Sequence, residues 1–162
     1  MASASLIVAI GSLSLTWHLW RKTNLPILTA WIASVAGGDD GIALNIVVEN
    51  SGNRPAKDIR LVAKKQHVLA ALGHPPDGAI PRDAVLCFFS NKQISVLANG
   101  KRVTNAFGYL GSRSGTWKAG AVIPLIIYYQ GLEGQSHSAK LNLILNDDNG
   151  FAQSSWNTSN SA

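Results

Sequence analysis

The first twenty residues of the chain contain no Asp, Glu, Lys or Arg, and their apolar residues recur at helical spacing. Those residues surround most of a helix: Leu6, Ile7, Val8, Ile10, Leu13, Leu15, Trp17 and Leu19. The run ends at Arg21 and Lys22, and Pro26 follows. The pattern predicts an N-terminal helix followed by a short basic step, together covering residues 1–25.

Beyond Pro26 the apolar pattern changes to the alternation and short continuous runs typical of β-strands. Seven strands are predicted, over residues 27–36, 42–50, 58–65, 94–98, 102–109, 122–130 and 139–146, with short helices over 67–72 and 82–90. No strand–helix–strand alternation occurs, which disfavours a parallel sheet. The pattern predicts an antiparallel β-sandwich over residues 26–156 and a disordered tail over 157–162.

Turn residues predict how some of these strands pair. The cluster of glycine and aspartate at 37–41 predicts a hairpin between the first two strands. Asn99 and Gly100 suit a type I′ turn, which predicts a hairpin between the fourth and fifth strands. Pro124 inside a strand predicts an edge position or a bulge, because proline cannot donate a ladder hydrogen bond.

The segment LNIVVENSGNRPAKDIRL, residues 44–61, resembles a strand–turn–strand unit of immunoglobulin-like domains in bacterial membrane and surface proteins. The whole layout resembles uncharacterised bacterial single-pass membrane proteins with a C-terminal immunoglobulin-like β-sandwich. The resemblance implies an immunoglobulin-like fold behind a transmembrane helix, and no catalytic residues. Within the segment, Asn50 and Asn53 can bond the turn backbone, Gly52 can adopt a positive φ, and Pro55 fixes φ.

Composition narrows the class of protein. A chain of 162 residues with 46% hydrophobic and 14% charged residues can bury a core and is neither disordered nor a coiled coil. Cys87 is the only cysteine, which excludes a disulfide framework and any site built from several cysteines. Cys87 lies in an apolar run, where a thiol behaves as a small buried hydrophobe.

The N-terminal helix is predicted to anchor the protein in a membrane. Residues 2–20 are close to the roughly 20 residues that a spanning helix needs. Trp17 and Trp20 fall three positions apart just before Arg21 and Lys22, an arrangement typical of an interfacial anchor.

Two alternatives to a membrane anchor stay open. The helix is also compatible with burial against a partner, and a cleaved secretory signal is less compatible because bulky residues occupy the cleavage region.

Basic residues set the expected orientation. Only the α-amino group precedes the helix, whereas Arg21 and Lys22 follow it, so the positive-inside rule places the C-terminal domain in the cytoplasm. The predicted location is the bacterial inner membrane, with a periplasmic or extracellular domain as the alternative.

Positive charge is concentrated in the middle third of the chain. Residues 51–102 carry nine basic and three acidic side chains, against a net charge of +5 for the whole chain. The candidate basic patch comprises Arg54, Lys57, Arg60, Lys64, Lys65, Lys101 and Arg102. Three interpretations stay open: a solvated face, attraction to an anionic membrane surface, and nucleic-acid binding, which the scarcity of interleaved aromatics disfavours.

No catalytic, cofactor-binding or metal-binding motif occurs, so neither an enzymatic activity nor a cofactor is predicted. Two aspartate clusters, at 39–40 and 147–148, lack the spacing of a calcium loop. The sequence predicts a membrane-anchored, non-enzymatic interaction protein whose partner is another protein. The candidate contact surfaces are residues 73–81, residues 111–117 and the strand with Pro124. The alternative is a small subunit of a larger membrane complex, with its helix packed against other transmembrane helices through Ser5, Gly11, Ser12 and Ser14.

Overall fold

A computed structural model describes residues 2–38, 41–73, 80–111 and 116–147. In these ranges the chain forms helix α1 (Ala2–Thr23) and then seven strands and two short helices. In order they are β1 (Leu28–Gly38), β2 (Gly41–Asn50), β3 (Ala56–Ala63), α2 (Lys65–Ala71), α3 (Arg82–Phe88), β4 (Ile94–Leu97), β5 (Arg102–Leu110), β6 (Ala121–Gln130) and β7 (Ser136–Leu145). Each predicted strand and helix is present, while the predicted tail at 157–162 lies outside the described residues.

The strands form two antiparallel sheets. Sheet 1 has the order β1-β2-β5, and sheet 2 has the order β4-β3-β6-β7. The predicted hairpin of the first two strands is confirmed, since β1 pairs with β2 from Leu28 opposite Asn50 to Gly38 opposite Gly41. The chain is mainly β, with two sheets arranged as a β-sandwich, as the strand pattern predicted.

Alternate residues of each strand form the core between the sheets. In β6 the inward residues Ile123, Leu125 and Ile127 are almost fully buried, while Pro124 and Tyr128 on the opposite face are exposed. Aromatic rings fill the wider part of the core. Phe107 stacks on Trp117 with ring centres 4.6 Å apart, and Phe88 meets Phe107 edge-on at 5.6 Å.

The two short helices cover parts of the core that the strands leave open. Val68 and Ala71 of α2 are buried on the side of β6, and Ala84 and Phe88 of α3 are buried on the side of β3 and β5. Each helix has only seven residues, so its position depends on this packing rather than on helix propensity.

The hairpin predicted at Asn99 and Gly100 is wrong. β4 pairs with β3 in sheet 2, whereas β5 pairs with β2 in sheet 1, so this turn carries the chain from one sheet to the other. A type I′ turn needs a positive φ at both central residues, and here Gly100 (φ 66°) has one while Asn99 does not. The local signal for a turn was correct, but it could not specify which strands pair.

The edge position predicted for Pro124 is also wrong, because β6 lies between β3 and β7. The register of β6 with β7 passes through Pro124 opposite Asn142 without a bulge. On the other side, pairing with β3 ends at Ala63 opposite Leu125. Proline is tolerated there because no residue of β3 stands opposite it to accept a hydrogen bond.

The N-terminal helix is present over the predicted residues. Among the described residues, however, no helix combines the length and the apolar character needed to cross a membrane. Polar residues interrupt the apolar ones along α1, among them Ser12, Ser14, Thr16 and His18. The helix itself is therefore confirmed, whereas the prediction that it spans a membrane is not confirmed.

Candidate functional site at the base of the N-terminal helix

The linker from α1 enters one end of the sandwich, here called the α1 end. Four segments meet at this end: residues 24–28, the β2–β3 turn at 50–55, the β4–β5 turn at 97–102, and the β6–β7 loop at 131–135. Pro26 and Leu28 are buried, and the backbone amide of Ser51 donates to the carbonyl of Ile27 at 2.9 Å. The linker therefore packs into the sandwich instead of leading freely away from it.

Asn50 holds three of these segments together. Its side chain is fully buried, and its Oδ1 accepts from the amides of Ile27 at 3.2 Å and Gly52 at 3.0 Å. Its Nδ2 donates to the carbonyls of Arg54 at 2.7 Å and Leu97 at 3.1 Å. A buried asparagine amide that makes four hydrogen bonds leaves few alternatives for the local backbone.

Gly52 allows the closest approach between the linker and the β2–β3 turn. A Cβ at this position would lie 2.4 Å from the Ile27 nitrogen and 2.4 Å from the Leu25 carbonyl oxygen. Gly52 does not have the positive φ that the sequence allowed for; such values in this part of the chain occur instead at Asp58 (φ 52°) and Gly100. Glycine is required here by space, since only a hydrogen fits against the linker backbone.

A cleft of about 340 Å³ separates the last turns of α1 from the β6–β7 loop. Across it, the guanidinium carbon of Arg54 lies 4.8 Å from the ring centre of Trp20, and Arg54 also pairs with Glu133. Lys57 donates to the carbonyl of Leu132 at 3.3 Å. The β6–β7 loop and α1 are thus joined through Arg54, which stacks on an aromatic face while its charge is neutralised.

His137 lines this cleft, and its ring stacks on the buried ring of Tyr129. Tyr129 and His137 have ring centres 5.4 Å apart, and the Tyr129 hydroxyl donates to the carbonyl of Pro26 at 3.2 Å. Burial raises the pKa of Tyr129 above its ordinary value of 10.0. The Nε2 atom of His137 is buried and has no hydrogen-bond partner among the described residues.

Above this base, α1 exposes large apolar side chains that alternate with small and polar ones. Each residue from 9 to 20 is exposed, and the large apolar members are Ile10, Leu13, Leu15, Trp17, Leu19 and Trp20. The predicted interface residues Trp17 and Trp20 stack with ring centres 5.6 Å apart. Arg21 and Lys22 lie in the last turn of α1, and their side chains lie outside what the structure describes.

The residues of the candidate basic patch are spread along the sandwich. Arg54, Lys57, Lys101 and Arg102 lie at the α1 end, whereas Lys64 and Lys65 follow the opposite end of β3. Along β3, Lys57 and Lys64 lie seven positions apart, about 23 Å at the usual strand rise. Arg60 lies between them and donates to Gln93 Oε1 at 2.9 Å. The structure thus brings four of the seven residues to one end.

The described ends of the two loops proposed as contact surfaces lie close together. Most of their residues, 74–79 and 112–115, lie outside the described residues. Their ends are joined, because the amide of Gly73 donates to the carbonyl of Thr116 at 3.0 Å. Trp117 is buried, and its indole N–H donates to the carbonyl of Phe107. Trp117 therefore belongs to the core and does not line a free surface.

Sheet 2 carries a surface that the sequence interpretation missed. On its outer face, β6 presents Val122, Pro124, Ile126 and Tyr128 in one row. The flanking strands add Val62 and Ile144, both exposed. The continuous apolar run VIPLIIYYQ could have indicated this surface. An unbroken apolar run is typical of a strand that is covered on both faces, so it indicates apolar residues on the outer face of β6 as well as on the inner one. Among the described residues, only the inner face of β6 is covered.

The titratable residues elsewhere in the described part of the chain form no metal site. Among the described residues, no group of three or more His, Cys, Asp or Glu side chains lies close enough to hold a metal ion. Burial raises the pKa of Cys87 above its ordinary value of 9.0, an effect opposed by a hydrogen bond from Asn105 and reinforced by nearby Asp83. Asp39 and His74 lie outside the described residues.

Comparison with known proteins places the chain in a family. Residues 1–147 match a domain of unknown function, DUF8453. The chain belongs to the DUF8453 family. No curated protein and no solved structure matches the chain. The DUF8453 match covers α1, the linker and all seven strands, so the helix and the sandwich are parts of one family unit and the junction between them lies inside it.

Proposed function

We propose that this protein is a non-enzymatic interaction module that α1 attaches to a membrane, and that its β-sandwich binds a protein partner there. The observation that carries the proposal is the continuous exposure of residues 9–20, with six large apolar side chains among them. Moving one such side chain from water into an apolar phase is favourable by about 1.5–3 kcal/mol. An α-helix with this surface needs a cover, and the part of the sandwich that the structure describes leaves residues 9–20 exposed.

Lipid is the cover that the chemistry of α1 favours. The first twenty residues have no charged side chain, and the Thr16 hydroxyl donates to the carbonyl of Ser12 at 2.8 Å, which satisfies its donor without water. The stacked Trp17 and Trp20 lie at the helix end where the basic residues begin, as interfacial aromatics do.

The sandwich faces the cytoplasm in this proposal. Arg21 and Lys22 directly follow the apolar residues, on the side where the positive-inside rule expects the cytoplasm. A bacterial inner membrane is the setting that the layout of the chain favours. Fusion of a compartment reporter to the C-terminus tests the orientation: activity of a cytoplasmic reporter supports it, and activity of a periplasmic reporter contradicts it.

The strand order supports an immunoglobulin-like sandwich. In domains of that type, strands A, B and E share one sheet and strands C, F and G share the other. Here β1, β2 and β5 form one sheet, and β3, β6 and β7 lie together in the second. The fourth strand pairs with β3 in the second sheet instead of extending the first. We therefore propose an immunoglobulin-like topology with its fourth strand on the side of strand C.

The outer face of sheet 2 is the surface we propose for the protein partner. Its apolar row on β6 lies beside Arg60 and Lys140, which favours a partner whose apolar contact is bordered by acidic residues. Contiguous exposed apolar residues on a monomer mark interaction sites. Replacing Tyr128 and Val122 with serine is expected to release the partner, while Asn142→Ala on the same face retains it.

Flotation of the full chain with lipid vesicles tests attachment. The double variant Leu13→Lys, Trp17→Lys is expected to remain at the bottom of the gradient, whereas the wild type floats with the vesicles. The matched control is Val122→Lys, Ile144→Lys, which places two charges on exposed apolar positions of the sandwich and is expected to float. Equal flotation of both variants, with folding confirmed by circular dichroism, contradicts the proposal.

A second candidate is a subunit of a larger membrane complex, with α1 packed against other helices. The exposed small residues Gly11, Ser12 and Ser14 favour it, because small side chains allow helices to approach closely. A Cβ on Gly11 would meet no atom within 4 Å in this chain. Exchange of residues 2–20 for a leucine helix separates the two candidates: attachment alone survives the exchange, and a complex that depends on α1 packing does not.

A further inference from the structure

A second cleft opens on the side of the sandwich where the two sheets do not meet. β4 ends sheet 2 on this side and β5 ends sheet 1, and the two strands do not pair with each other. The short helix α3 covers part of the opening, and a cleft of about 320 Å³ remains. This cleft lies between the sheets, apart from α1 and from the outer face of sheet 2.

The floor and walls of the cleft are apolar. Ile46, Val48 and Ile59 form the floor and belong to the buried core. The walls are half-buried, and they include Leu61, Leu86 and Val103. The core is therefore incompletely closed here, and the walls retain apolar surface that a ligand could remove from water.

The rim of the cleft is polar and carries one kind of charge. Lys92 is the charged residue that lines it, beside Gln93, Thr104 and Asn105. Among the described residues, no carboxylate forms an ion pair with Lys92. An apolar cavity with a few polar groups at its mouth is the usual form of a small-molecule site, and this volume is at the lower end of the usual range of about 300–1,000 Å³.

We infer that this cleft binds a small alkyl carboxylate, with the alkyl chain between the sheets and the carboxylate at Lys92. The apolar walls select an alkyl chain, and the ammonium at the rim selects a negative head group. The inference is independent of the membrane attachment proposed for α1.

Cys87 provides a reporter inside the cleft. It is the only cysteine of the chain, it lines the cleft wall, and its Sγ lies 3.4 Å from Asn105 Nδ2. A ligand lying along this wall must restrict the approach of an alkylating reagent to the thiol. The rate of Cys87 alkylation therefore measures occupancy directly, without any assumption about activity.

The experiment measures alkylation of Cys87 by N-ethylmaleimide in the purified full chain without added lipid. Saturating octanoate is expected to slow the reaction at least about fivefold by blocking access, whereas octylamine at the same concentration is expected to leave it unchanged. Lys92→Gln is expected to abolish the effect of octanoate. Lys140→Gln removes one positive charge from the outer face of sheet 2 and is expected to retain it.

Three results would overturn the inference. The first is an alkylation rate that does not change with octanoate. The second is equal slowing by octanoate and octylamine, which would report a non-specific effect of amphiphiles on the protein. The third is equal slowing in wild type and Lys92→Gln, which would place the carboxylate elsewhere. None of these results bears on vesicle flotation, so failure here is distinct from failure of the proposed attachment.

Discussion

The guanidinium of Arg54 lies over the indole ring of Trp20, with 4.8 Å between the guanidinium carbon and the ring centre. Trp20 belongs to α1, and Arg54 belongs to the turn between β2 and β3. The contact therefore joins the helix to the sandwich at their junction. With the buried linker below it, the contact sets a direction for α1 relative to the sheets, so α1 is not a flexible tether.

Loss of the Arg54–Trp20 contact is expected to loosen α1 with little effect on the sandwich. Arg54→Ala removes both the stacking and the pair with Glu133, and an exposed cation–π contact is worth about 0.5–1 kcal/mol. Distances between spin labels on α1 and β7 are expected to broaden in this variant. Arg54→Lys keeps the charge but loses the planar stack, so an intermediate width is expected. Unchanged distances in Arg54→Ala would show that the linker alone orients the helix.

Asn50→Ala is expected to be among the most damaging single substitutions in the turn. It leaves two amides and two carbonyls without their partner in a buried place, and each unsatisfied buried group costs about 1–3 kcal/mol. Chemical denaturation is expected to show a loss of about 2–4 kcal/mol, since local rearrangement recovers part of the bonds. Asn142→Ala, on an exposed position of β7, is the matched control. A similar small loss in both variants would contradict the role assigned to Asn50.

Gly52→Ala tests whether the linker is packed as closely as described. The added Cβ would lie 2.4 Å from backbone atoms of Leu25 and Ile27, which cannot move aside as a side chain can. A loss of about 1–3 kcal/mol is expected, as for other overpacked sites. Gly37→Ala serves as control, because a Cβ there meets no atom within 4 Å. If both variants unfold at the same denaturant concentration, the close approach is absent in solution.

The pH dependence of Cys87 follows from its raised pKa. In the folded protein the pKa of the thiol lies above its ordinary value of 9.0, so the alkylation rate is expected to reach half its maximum above pH 9. In urea the pH of this midpoint is expected to fall to about 9. Because the folded pKa is raised, the thiol's contribution to stability is complete below the unfolded value and declines as the pH rises through the folded value. The unfolding free energy of wild type is therefore expected to fall relative to Cys87→Ala above pH 9. A midpoint below 9 in the folded protein would contradict the burial of this thiol.

The strands were predictable from the sequence because alternation and turn residues are local signals. β2 and β6 show this well: each has a clear apolar run bounded by turn residues. The pairing of β4 and β5 was not predictable, because Asn99 and Gly100 specify a turn but not the sheet that each flanking strand joins. Strand pairing depends on contacts between distant residues, and a short turn motif does not encode them.

The residues at the α1 end were identified only in part. Trp20 and Arg54 were both singled out, one as an interfacial residue and the other in a basic patch, yet nothing in their spacing indicated that they touch. The cleft at Cys87 had no sequence signal, because its walls come from both sheets and from α3. The role of Gly52 was misjudged since space between distant backbones, unlike a preferred φ, cannot be inferred from neighbouring residues.

The central claim is that the apolar residues of α1 lie in lipid while the sandwich stays in water. The measurement uses two variants, Leu13→Cys and Ile144→Cys, each in a Cys87→Ala background, spin-labelled and bound to vesicles. For each label we compare the collision rate with oxygen, which concentrates in lipid, with the collision rate with a water-soluble nickel chelate. Both positions are exposed in this chain, so neither label disturbs the core. The account predicts that the label at 13 collides more with oxygen and the label at 144 more with nickel. Equal access of the nickel chelate to both labels would contradict it.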